Sequence, residues 1–92
     1  MNLSPGEKFA RSEIAIAYTL LWGACLHDKE EDQRLGLMHA TAACRVAEIF
    51  AGGSDLQHAL TELKSEIANW SKSRCNEYRI KSYQLSAQTL GV

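Results

Sequence analysis

Thirteen consecutive residues, Ile14 to Leu26, are apolar apart from Thr19 and Gly23, and this run constrains the fold more than any other feature. A helix spanning a bilayer needs about 20 such residues, so the run is too short to cross one and reads as a buried helix. Glu7 and Glu13 offset Lys8 and Arg11 ahead of it, and His27, Asp28 and Lys29 follow it, which does not match a secretory leader. The expectation is a soluble, unprocessed chain with no membrane partner. A helix that is apolar nearly all round cannot sit on a surface. Something must cover every side of it.

Three helix starts carry the same chemistry. Ser4 precedes Pro5 and is followed three residues later by Glu7. A hydroxyl there accepts from an orphan helical N–H, and the carboxylate reaches back to the cap residue's own N–H. Proline suits the first turn, where its missing N–H has no intrahelical acceptor to lose. Asp28 with Glu31 repeats the pattern, as does Ser54 with Gln57, and Gly52-Gly53 offers a left-handed residue to close the preceding helix. Leu35, Met38, Ala42, Val46, Ile49 and Phe50 form one apolar stripe at helical spacing. Leu56, Leu60, Leu63, Ile67 and Trp70 form another. No segment alternates with a period of two, so strands are not expected.

The fold predicted from these signals is all-α. It is a three-helix antiparallel bundle in one domain, residues 1–92, with helices at about 5–26, 29–51 and 55–84 and a frayed tail at 86–92. Ser71-Lys72-Ser73 is the weak point of the long third helix, because serine side chains compete for backbone hydrogen bonds. Two helices cover only one face of the first, and helix two carries a belt of small residues at Ala40, Ala42, Ala43 and Ala47. The sequence therefore predicts a homodimer through Ala17, Leu20, Leu21, Trp22, Ala24 and Ala43, since large apolar patches mark interfaces. The alternative cover is the third helix, broken and folded back.

Chemistry is sparse. Cys25, Cys44 and Cys75 are an odd set without a CxxC spacing, which suits reduced thiols in the cytoplasm. His39 and Cys44 lie five apart and Cys25 and His27 two apart, whereas two ligands on one helix face sit three or four apart. No metal and no other cofactor is expected. Glu30, Glu31 and Asp32 fall where a helix start favours acidic groups. No phosphate-binding glycine motif and no nucleophile–base pair stands out, so an enzyme is not expected.

Ten basic residues against eleven acidic ones leave a net charge of -1, which selects no polyanion globally. Locally, residues 69–84 hold Lys72, Arg74, Arg79 and Lys81 against Glu77, interleaved with Trp70, Tyr78 and Tyr83. Trp, Tyr and Arg are the usual anchors of protein interfaces. Trp70, Arg74, Tyr78, Arg79 and Tyr83 are accordingly the predicted partner-binding surface of a non-enzymatic regulator, inhibitor or anti-activator-type adaptor. The alternative is a nucleic-acid-binding module using the same segment, with cations on phosphates and rings on bases.

Overall fold

A computed structural model describes the backbone of residues 4–90, and all their side chains except those of Ser54, Gln88, Thr89 and Leu90. The described chain is helical, with α1 over Pro5–Cys25, α2 over Glu30–Phe50, α3 over Ser54–Ala68 and α4 over Cys75–Leu90. A single 3-10 turn, Lys72–Arg74, precedes α4. The predicted third helix is thus two helices, and the bundle has four. No helix among the described residues is long and apolar enough to cross a membrane.

The caps explain the boundaries. At Ser4 both halves of the capping box form: the Glu7 N–H donates to Ser4 Oγ at 3.2 Å, and the Ser4 N–H to Glu7 Oε1 at 3.2 Å. The second predicted cap does not form. Lys29, not Asp28, stands at the N-cap of α2, without a side-chain hydrogen bond. Lys72 lies 3.5 Å from the Asp28 carboxylate instead. The Ser54 side chain, on which the third predicted cap rests, lies outside the described set; the backbone places Gly53 at the N-cap and Ser54 inside the helix. Gly53 is extended, with φ -107° and ψ 154°, so it does not close α2 through a left-handed turn as its sequence suggests. Its value is space, because a Cβ there would lie 2.9 Å from Glu7 Oε2.

The break after α3 follows the serine competition expected at this point. Asn69 ends α3 and its side-chain amide donates to the Ser65 carbonyl at 3.0 Å. Ser71 is extended, and its hydroxyl accepts from the Ser73 N–H at 3.2 Å, starting the 3-10 turn. Such local bonds give the backbone an alternative to continuing the helix. The chain turns back and α4 runs on through Ser86 to Leu90, where a frayed tail was predicted; Gly91 and Val92 lie outside the described residues.

Three pairs of contacts set the topology. Gly36 sits against Ala24 while Phe50 meets Phe9, so α2 runs antiparallel to α1. Gly53 lies by Glu7 and Trp70 by Leu21, so α3 runs parallel to it. Cys75 neighbours Cys25 and Ser82 meets Thr19, so α4 is antiparallel again. The central helix is α1, packed most extensively on α2 and α4 and also on α3. Most of its apolar circumference is covered within one chain, while Phe9 and Ile16 stay close to half exposed. Tyr18, Tyr78, Ile14, Leu21, Leu60 and Leu63 are the largest fully buried side chains, each stabilising the fold by about 1.5–3 kcal/mol through area removed from water.

The inward face of α2 is the small one. Ala40, Ala43, Cys44 and Ala47 are buried, and a Cβ on Gly36 would lie 3.1 Å from the Ala24 Cβ. Small side chains here bring the α1 and α2 backbones close together. The larger stripe of α2 is turned away.

Candidate functional site

The residues predicted to bind a second copy lie mostly inside the molecule. Ala17, Leu21, Ala24 and Ala43 are buried, and Leu20 and Trp22 pack partly against the core. The reason is packing within one chain: α2 closes on Ala24 at Gly36, and α4 folds back along α1 to supply further cover. A second copy could reach the four buried side chains only by unpacking the bundle.

The predicted partner surface divides in a similar way. Tyr78 is fully buried, and its hydroxyl oxygen accepts from the Ser71 N–H at 3.1 Å. Trp70 is half-buried, and its indole N–H donates to the Leu21 carbonyl at 3.0 Å. Both rings hold the chain reversal in place, each through its polar handle. Arg74 makes two hydrogen bonds to the Glu66 carboxylate, at 3.1 and 2.7 Å, which raises the guanidinium pKa further. Arg79 and Tyr83 remain on the surface, Arg79 within 3.4 Å of Asn76 Oδ1 and Tyr83 edge-on to Trp22 with centroids 6.1 Å apart.

The basic segment is largely met by carboxylates of its own chain. Besides Arg74 with Glu66, Lys81 lies 3.0 Å from Glu62 and Lys72 3.5 Å from Asp28. Glu62 and Glu66 of α3 thus pair with Lys81 of α4 and with Arg74 of the 3-10 turn before it. A groove of about 230 Å³ runs along these pairs, lined by Glu62, Glu66, Arg74, Glu77, Ile80, Lys81 and Gln84.

The titratable groups report burial. The Cys25 thiol is pushed up to about 12, first by burial and then by the neighbouring Cys75 thiol. Burial also raises Cys44, with the Glu48 carboxylate adding to the shift, and burial raises Tyr18 and Tyr78. These shifts hold the groups protonated and poorly nucleophilic. All three cysteines are free thiols. His27, His39 and His58 are all exposed. Among the described residues, no three His, Cys, Asp or Glu side chains gather where an ion could bind.

The feature that stands out is apolar. On α2, Leu35 is 53% exposed, Met38 60% and Ile49 76%. Ala42 between them is also exposed and Val46 partly so. Phe50 continues the stripe to the helix end and meets Phe9 of α1 edge-on, with centroids 4.9 Å apart and planes at 80°. Phe9 and Ile16 are seven residues apart, on one face of α1, and both are close to half exposed. The eight positions from Phe9 to Phe50 named here carry no charge, and exposed Arg45 and His39 flank them on α2.

The stripe was visible in the sequence, but its direction was not. The signal that bears on direction is Gly36, Ala40, Ala43 and Ala47, small residues spaced by four, three and four. That spacing marks a second helical face, suited to close backbone approach. A helix with two apolar faces can bury only one against a single layer of neighbours. No protein-family model, curated protein or solved structure matches the chain.

Proposed function

We propose that the chain is a non-enzymatic protein-binding module, of regulator, inhibitor or anti-activator-type adaptor kind, and that it binds through the outward stripe of α2 and the adjoining edge of α1. The observation that carries this reading is the exposure of Leu35, Met38, Ile49, Phe50, Phe9 and Ile16 on two neighbouring helices. At roughly 150–250 Å² for a large side chain and about half exposure, the six together offer about 600 Å². That is the upper end of the largest apolar patch on an ordinary monomer, about 300–600 Å². A reducing compartment such as the cytoplasm suits its three free thiols.

The test is affinity capture from lysate of the source organism with wild type, Ile49→Glu and Arg79→Glu baits, with and without nuclease. The expected result is a stoichiometric protein that survives nuclease, is kept by Arg79→Glu and is lost with Ile49→Glu. Capture that survives Ile49→Glu refutes the face. Capture that disappears with nuclease refutes protein binding and favours nucleic acid.

A further inference from the structure

The apolar positions of α2 are symmetric about one small residue. Leu35, Met38, Val46 and Ile49 stand at -7, -4, +4 and +7 from Ala42, and Ala42, like Leu35, Met38 and Ile49, is exposed in the single chain. We propose that α2 pairs with α2 of a second copy, antiparallel, about a two-fold axis at Ala42. The proposal rests on the protein-binding reading of this face and names its occupant.

A two-fold interface must be complementary to itself. With the axis at Ala42, every position n residues before it meets the position n residues after it. Leu35 then lies against the partner subunit's Ile49, and Met38 against the partner subunit's Val46. Each pair sets an unbranched-at-Cβ side chain against a β-branched one, and each forms twice. Ala42 meets its own copy at the crossing, where a methyl group lets helix axes approach to about 8–10 Å. The area also fits. About 600 Å² of apolar side chain per copy, widened by the polar flanks, approaches the about 800 Å² per partner of a standard stable interface. Exposed His39 and Arg45, at -3 and +3 from Ala42, meet each other's copies at the edges of this contact, outside the apolar pairs.

The experiment is sedimentation equilibrium of the reduced full chain from low micromolar to a few hundred micromolar. Wild type is expected at twice the 10.2 kDa chain mass. Ala42→Glu places two carboxylates opposite each other at the axis and is expected to weaken pairing by about 100-fold or more. Because Ala42 is exposed, the variant keeps its helical circular dichroism; Met38→Glu serves as an independent second variant. Arg79→Glu, on α4, leaves the dimer intact.

Cysteine scanning reads the register. Ala42→Cys is expected to cross-link to itself on mild oxidation under conditions that leave wild type uncross-linked. Leu35→Cys is expected not to, because its two copies would be separated by roughly 21 Å at 1.5 Å per residue, far beyond disulfide reach. A dimer that survives both Ala42→Glu and Met38→Glu overturns the proposal, as does equal self-cross-linking at positions 35 and 42. So does a chain that stays monomeric at every concentration. If that monomer still captures a protein through Ile49, only the self-pairing falls; if it captures none, the protein-binding reading of the face falls with it.

Discussion

Turning α2 by half a turn would exchange its two apolar faces, and a pair of substitutions separates the two arrangements. Ile49 is 76% exposed, so about a quarter of its side chain is withdrawn from water. Full burial of such a side chain stabilises by about 1.5–3 kcal/mol, and Ile49→Ala should therefore cost only about 0.5 kcal/mol. Were Ile49 in the core, the same substitution would cost about 2–5 kcal/mol, including the cavity left behind. Ala47 is fully buried in the alanine belt, and Ala47→Leu inserts three carbons where α1 and α2 pack closely. Overpacking of that kind costs about 1–3 kcal/mol. Both substitutions belong in an Ala42→Glu background, so that loss of pairing does not contribute. The assay is urea unfolding followed by circular dichroism. With a slope of about 1–1.5 kcal/mol per molar for a domain this small, Ile49→Ala should move the midpoint by about 0.3–0.5 M and Ala47→Leu by about 1–2 M. A shift above about 1.5 M for Ile49→Ala, with Ala47→Leu near neutral, would show that the large stripe faces inward and would refute the proposed interface along with it.

Three further outcomes are expected. Trp70→Phe keeps the ring's apolar contact but removes the hydrogen bond to the Leu21 carbonyl; it should cost about 0.5–1.5 kcal/mol, seen as a melting point lower by several degrees, and an unchanged melting point would show that this bond does not anchor the chain reversal. A double-mutant cycle of Glu66→Ala with Arg74→Ala should give a small favourable coupling that shrinks in molar salt, whereas zero coupling would leave this ion pair without energetic content. Cys25, Cys44, Tyr18 and Tyr78 all have pKa values raised by burial, from ordinary values of 9.0 for the thiols and 10.0 for the phenols. For each, the unfolded chain releases its proton at lower pH than the folded one, so stability is fully present below about pH 9 and is lost as pH climbs through the raised values. The urea midpoint should be level between pH 7 and 8.5 and fall by pH 10.5, less steeply in Cys25→Ala; a midpoint that does not fall would contradict the burial of these groups.

How much of this was legible in the sequence depends on how local each cause is. Ser4, Pro5 and Glu7 form their capping box because all its atoms lie within one turn. Ser71 and Ser73 break the third helix by bonds that span two residues. The leucines of α3 face inward at Leu56, Leu60 and Leu63 because that helix has a single apolar stripe. The apolar run of α1 called for cover whatever supplied it, and the fold supplies it on most sides, leaving Ile16 and Leu26 exposed.

Tertiary structure decided what covers α1 and which way α2 turns. The fold-back of α4 rests on pairs far apart in the chain: Ser82 with Thr19, Trp70 with Leu21, Lys81 with Glu62. That fold-back removed Tyr78 from the predicted partner surface and left Trp70 half-buried, because an aromatic with a polar tip serves a core as well as an interface. In α2 the sequence carries two apolar faces, and periodicity cannot rank them. The alanine face was buried because it brings two backbones together at Gly36 and Ala24, leaving the larger stripe, Leu35 to Ile49, open to a partner.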